Sequence, residues 1–212
     1  MPQNPTPATA GVTNPTADQT IAARFANHTM TVLHEDGLYR HLRFDNPEKP
    51  GQYPFELITW PYNLVVKSGW TFHFDIDATP DMFVLFRRTA FSGEINPGYW
   101  QEKVRAGRDE IEGFDPDTFE RLVKEHVVQA IREGSAPRGL GREVTTEIFE
   151  MGDIDNEAGA RSALDSFDYK GWSFGETWEW NFSDYNPGFL HSCHAIRHAI
   201  DLHAAARKQV AA

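Results

Sequence analysis

The 212-residue chain has a single cysteine, Cys193, so it can build neither an internal disulfide framework nor a cysteine-only zinc site. No run approaches the ~18 apolar residues a membrane helix needs, and no membrane partner is expected. Positive charge is scarce: 20 Lys and Arg stand against 31 Asp and Glu, a formal net charge of −11. Proteins that grip nucleic acid do so through cations on phosphate, so direct nucleic-acid binding is not expected. Neither a phosphate-cradling glycine loop, nor a dinucleotide fingerprint, nor HExxH occurs, and no cofactor is expected. Residues 1–20 lack the basic and apolar regions of a secretory signal, which makes the cytoplasm the expected compartment.

What is present divides by period. From about His28 to Asp77 apolar residues alternate with polar ones, with turn residues between the runs. His28–His34 and Leu38–Phe44 flank Glu35-Asp36-Gly37, and Asn63–Lys67 and Trp70–Ile76 flank Ser68-Gly69. Both are hairpin signals. Tyr53–Trp60 lies between them and ends at Pro61, which can donate no ladder hydrogen bond. Trp70, Phe72, Phe74 and Ile76 fall on one face of the last run, predicted to be buried.

Beyond Asp77 the period becomes helical. Four helix starts carry a capping residue followed by proline: Thr79-Pro80, Asn96-Pro97, Asp115-Pro116 and Asn186-Pro187. After the third, Phe119, Leu122, Val123, Val127, Ala130 and Ile131 form an apolar stripe that ends at Gly134. A short helix is expected near Glu157–Leu164, and residues 172–182 alternate aromatic and polar residues like a late strand or hairpin. The expected class is α+β: an antiparallel β-meander of four to five strands, then several α-helices and the late aromatic strand. Residues 1–20, with four prolines, read as a disordered tail, and residues 21–212 as one domain.

Charge is unevenly spread. Residues 1–108 carry 11 acids and 10 bases, whereas residues 109–212 carry 20 acids and 10 bases. Within the second half, Glu147, Glu150, Asp153 and Asp155 are the candidate binding surface for a partner with a basic face. The plainer alternative is a solvated flank that aids solubility.

The last helix holds the other candidate. His191, His194, His198 and Asp201 fall on one stripe, and spacings of three and four residues let two imidazoles reach one metal. A complete site would need a further ligand, such as His34, Glu35 or Asp36. Without one, the histidines read as a polar helix flank, and no metal is expected. The carboxylates of Asp75 and Asp77 sit beside turns, where Asp serves the backbone. Arg87 and Arg88 end a helix, where cations suit the dipole. Cys193 lies on the apolar helix face and reads as core. The six tryptophans, Trp60, Trp70, Trp100, Trp172, Trp178 and Trp180, read as core and sheet packing.

Several phrases occur in order along the chain: Gly37–Phe44 with Pro47, Leu57–Pro61, Ile95–Lys103, Trp178–Tyr185 and the helix after Pro187. Together they make the chain resemble a family of uncharacterised proteins carried by phages and prophages of actinomycete hosts. The resemblance covers about residues 30–203 and implies a viral setting and an intracellular role, with no activity attached. The last helix departs from the family pattern, which favours aromatic and aliphatic residues where this chain has His191, His194 and His198.

Three functions follow as expectations. The first is a non-catalytic accessory protein that binds a host or phage protein through its acidic surface, inhibiting a host defence or nucleic-acid-processing machine. The second is a metal-dependent enzyme using the histidine helix, and the third is a virion or assembly component. For the tail, limited proteolysis should remove residues 1–18 without lowering the melting temperature. A large drop would show that the segment packs on the core.

Overall fold

The computed structural model describes residues 20–90 and 94–210, except the side chain of Val210. Of the tail expected at residues 1–20, all but Thr20 lies outside these residues. The described chain gathers into two compact units, where the sequence reading has one domain. The first runs to Ile111 and resumes at Tyr185; the second is Glu112–Asp184.

The first unit is built on a six-stranded antiparallel sheet in chain order. Its strands are β1 (Thr29–Asp36), β2 (Tyr39–Asp45), β3 (Phe55–Trp60), β4 (Asn63–Lys67), β5 (Thr71–Asp75) and β6 (Val104–Ala106). The fold class is therefore α+β, as expected, with one strand more than the predicted meander. Gly37 supplies the positive φ (60°) that the tight β1–β2 turn requires. A bulge between Val32 and His34 shifts the register of β1.

Alternation puts Leu42, Phe44, Phe55, Leu57, Leu64, Val66, Phe72 and Phe74 on one face, each at most 2% exposed. Fully burying such a side chain is worth roughly 1.5–3 kcal/mol, so this face dominates the unit's stability. Trp70 is not part of it. It stands in the turn before β5, 40% exposed, over Gly188, where a Cβ would run into the indole. The opposite face is polar, with His41 bonded to Glu56 (2.9 Å) and His73 to Asn63 (2.7 Å).

Helix α1 (Met82–Thr89) starts two residues later than expected. Its N-cap is Asp81, not Thr79, and the Asp81 side chain accepts from the Phe83 backbone N–H at 3.0 Å. The same carboxylate receives both guanidinium nitrogens of Arg40, at 2.9 and 3.2 Å. Arg40 is 6% exposed on the core face of β2, lies over the Phe83 ring, and has Glu35 at 3.8 Å from Nε. A pair to a buried arginine decides where the helix begins, and cap-proline spacing does not register that.

Helix α2 (Pro97–Gln101) is capped by Asn96 as predicted, but it ends after five residues and Val104–Ala106 becomes β6. Val104 is fully buried opposite Phe74, so a long-range pairing overrides the local helical pattern.

The second unit carries α3 (Pro116–Glu133), capped by Asp115 and closed by Gly134 at φ 74°. It continues with α4 (Leu140–Val144), a π-helical turn Thr145–Glu150, and α5 (Glu157–Ser166). Phe119, Val123, Val127 and Ala130 of the predicted stripe are buried, while Ile131 is 55% exposed. Strands β7 (Glu112–Phe114) and β8 (Ser183–Tyr185) pair as a two-stranded ribbon.

The aromatic stretch 172–182 is not a strand. It contains a lone bridge from Tyr169 to Trp172 and a 3₁₀ turn, Thr177–Glu179, entered through Glu176 at φ 54°. Phe174 and Phe182 are buried because the chain coils over the core, and the alternation mimics a strand.

The Arg40–Asp81 pair gives a direct test. Asp81→Ala removes the cap and strands a buried cation, and should cost about 3 kcal/mol. Asp81→Asn keeps a capping oxygen and should cost clearly less. Urea unfolding of the two variants checks the order, and equal losses would show that the charge pair alone matters and the cap adds nothing.

Candidate functional site

The histidine helix is α6 (Pro187–Val210), which begins at Asn186, whose side chain accepts from the Gly188 N–H at 2.7 Å. The sequence reading makes its histidines a polar flank. Instead His191 is 2% and His194 9% exposed, and His198 is half-buried. Asp201 is exposed and pairs with Arg197 at 3.0 Å.

The reason is Phe25, which follows a helical turn at residues 20–23. His191 lies 4.8 Å from the Phe25 ring, His198 5.9 Å and His28 5.4 Å, measured between centroids. His28 Nε2 meets the Tyr53 carbonyl at 3.0 Å. Among the described residues nothing bonds His28 Nδ1, His191 Nδ1 or His198 Nε2. The expected extra ligands are elsewhere. Glu35 is held by His203 (2.9 Å) and Arg207 (3.2 Å). Among the described residues there is no group of three or more His, Cys, Asp or Glu placed to hold a metal ion.

Burial holds the His191 imidazole down to about 4, helped by Arg24, His194 and His28. His198 is lowered by burial, and the charge of His28 adds to that. Both rings are therefore neutral near pH 7. The cluster is an aromatic–imidazole packing group in which, among the described residues, no carboxylate bonds His191 Nδ1 or His198 Nε2.

Of the other sequence candidates, Asp75 pairs with Arg105 at 3.3 Å and Asp77 is exposed, so the two form no joint site. Arg87 and Arg88 occupy the last turn of α1, and Cys193 is fully buried.

In the second unit, the acidic candidates lie where the helix loosens. Glu147 and Glu150 ride the π-helical turn, which closes by a bond from the Met151 N–H to the Thr146 carbonyl (3.1 Å). Asp153 and Asp155 follow in the loop that leads to Asn156, the cap of α5. Gly159 allows that loop to lie against the helix, since a Cβ there would meet the Asp153 carbonyl. All four carboxylates are exposed, and Glu147 and Asp153 border a cavity of about 300 Å³. Residues 112–184 carry 17 acids against 7 bases, a net of −10, whereas the rest of the chain carries 14 against 13.

Residues Gly171–Gly175 spell Gly-Trp-Ser-Phe-Gly, the spacing of a nucleophile elbow, where the sequence reading has no such motif. That role needs a strand before the serine and a helix after it. Here there is only the lone bridge, and a 3₁₀ turn follows. Among the described residues no hydrogen bond joins the exposed Ser173 to a histidine, the contact such a nucleophile uses.

Sequence reasoning missed His28 and Phe25, and no local pattern marks them. It also assigned every tryptophan to packing, whereas Trp178 is 72% exposed. Among the described residues no helix is long and apolar enough to cross a membrane. Compared with protein-family models, curated proteins and solved structures, the chain matches none.

The buried imidazoles predict acid sensitivity. In the unfolded chain His191 takes up a proton near pH 6.5, and in the folded chain only near 4. Its contribution is therefore complete above 6.5 and is lost as pH falls toward 4, on the order of 3 kcal/mol. Urea midpoints at pH 7 and 4.5 should differ less in His191→Leu than in the parent protein. An identical acid loss in both would place the sensitivity elsewhere.

Proposed function

We propose that the chain is a non-catalytic binding protein of a phage or prophage, working in the cytoplasm. It engages a host or phage protein with a basic face through the acidic unit Glu112–Asp184. The observation that carries this reading is the concentration of charge: 17 acids against 7 bases in these residues. Glu147, Glu150, Asp153 and Asp155 are exposed within nine consecutive residues, the least regular stretch of that unit's helices. Surfaces that hold phosphate are basic, so a nucleic-acid-processing or defence protein of the host is the class of target that such charge suits. Complementary potentials raise the association rate and disfavour acidic competitors.

Affinity capture from infected or lysogenic cells, with mass spectrometry, would identify the partner. Stopped-flow association at two salt concentrations then tests the reading. The rate should fall steeply with salt, since exposed charges are screened beyond ~8 Å at physiological ionic strength. Replacing Glu147 and Glu150 by Gln, and Asp153 and Asp155 by Asn, should slow association while leaving melting unchanged. A rate indifferent both to salt and to the fourfold change would reduce this stretch to a solvated flank.

A further inference from the structure

A cavity of about 340 Å³ opens on the Glu112–Asp184 unit between α3 and the segment 172–180. Its lining includes His126, Trp172 and Trp180, with Glu133, Glu176 and Glu179. The His126 ring stands 5.0 Å from the Trp180 ring and 6.0 Å from Trp172, centroid to centroid, and all three side chains are half-buried. The three glutamates are exposed, and among the described residues no lysine or arginine lines the cavity. Burial keeps His126 below its ordinary value, so it adds no positive charge near pH 7.

The wall of the cavity is fixed in advance. Arg161 donates to the carbonyls of Thr177 and Trp180, both at 3.0 Å, while its Nε holds Glu157 at 3.0 Å. Its guanidinium also lies over the Phe182 ring. Thr177 Oγ1 donates to Asp165 at 3.1 Å. These bonds pin both ends of the 3₁₀ turn that carries Glu179 and leads to Trp180. Glu176 enters the turn in the left-handed region, at φ 54°. On the other side Gln129 donates to Glu133 at 2.9 Å, which orients that carboxylate.

We propose that this cavity receives the guanidinium of an arginine side chain on the basic partner. The inference rests on the proposed function and names the chemistry of its contact. Two indole rings and a neutral imidazole line the cavity, the ring types whose π-faces attract a cation, and three carboxylates reject an anion. Arginine suits the site better than lysine. Its planar, weakly hydrated head stacks on an indole while forking onto a carboxylate, whereas an ammonium is a compact, strongly hydrated point charge. An aromatic wall held rigid before binding loses little freedom when the cation arrives.

The test uses the full chain and short, end-labelled peptides of alternating glycine and arginine, with lysine and citrulline twins of equal length. The arginine peptide should bind about tenfold more tightly than the lysine twin at equal net charge, and the citrulline twin should not bind measurably. The indole N–H signals of Trp172 and Trp180 should shift on titration with the arginine peptide. The double change Glu176→Gln with Glu179→Gln, at exposed positions, should abolish the preference by speeding dissociation, with circular dichroism unaltered. The fourfold change at Glu147, Glu150, Asp153 and Asp155 should slow association and keep the preference. Equal binding of the arginine and lysine peptides, binding of neither, or a preference that survives the double change would overturn the proposal. If the preference is absent but association still falls with salt and with the fourfold change, the cavity loses its role and charge steering stands. If the preference holds while association ignores salt, steering alone falls.

Discussion

The first unit depends on one buried cation. Arg40 takes a core position on β2, in line with Leu42 and Phe44, where an apolar residue would be the default. Taking a guanidinium out of water costs several kcal/mol unless its hydrogen bonds are met. Asp81 meets two of them with good geometry, while Glu35 and the Phe83 ring stand on other sides. Burial by itself would raise the Asp81 carboxyl, but the bonds and charge of Arg40 outweigh it and hold the group below the usual range. Because Asp81 also caps α1, the ion pair fixes the helix start relative to the sheet. Glu35 extends the network to His203 and Arg207 on α6. Strands β1 and β2 and helices α1 and α6 thus share one set of charges. An apolar replacement could match the energy, but it could not set the register of the helix start.

The histidine cluster solves a similar burial problem differently. The neutral His191 and His198 rings need no counter-charge, yet His191 Nδ1 and His198 Nε2 want partners and are unpaired among the described residues. The compensation is aromatic area. Phe25 is fully buried against Phe55 and packs against the His28, His191 and His198 rings. Packing of this kind tolerates histidine only while it is uncharged.

Features written in a few adjacent residues were legible in the sequence. The Gly37 turn, the caps Asn96 and Asp115, the stop at Gly134 and the buried alternation of β2 to β5 all depend on local sterics or on period two. What was hidden depends on residues far apart in the chain. Asp81 displaces Thr79 as cap because of Arg40, 41 residues away. Trp70 leaves the core face because it covers Gly188. The histidines are buried because Phe25 reaches them. The acidic stretch was legible as composition. The cavity between α3 and the segment 172–180 was not, because half-buried tryptophans look the same in sequence as core tryptophans.

The second unit must fold against its own charge. Three of its seven bases, Arg121, Lys124 and Arg161, are committed to glutamates one helical turn away. Such exposed pairs are worth only a few tenths of a kcal/mol each. They do not neutralise a net charge of −10. Cohesion therefore falls to the aromatic core of Phe119, Phe167, Phe174 and Phe182, which is indifferent to charge. The field outside is left almost uncancelled and available to act on other molecules. In the reading proposed above, field and fixed contact divide the work. Spread carboxylates would govern how fast a basic partner arrives, acting at a distance that salt controls. The half-buried rings of the cavity, with carboxylates at its rim, would govern how long the partner stays, through contacts that salt screens far less.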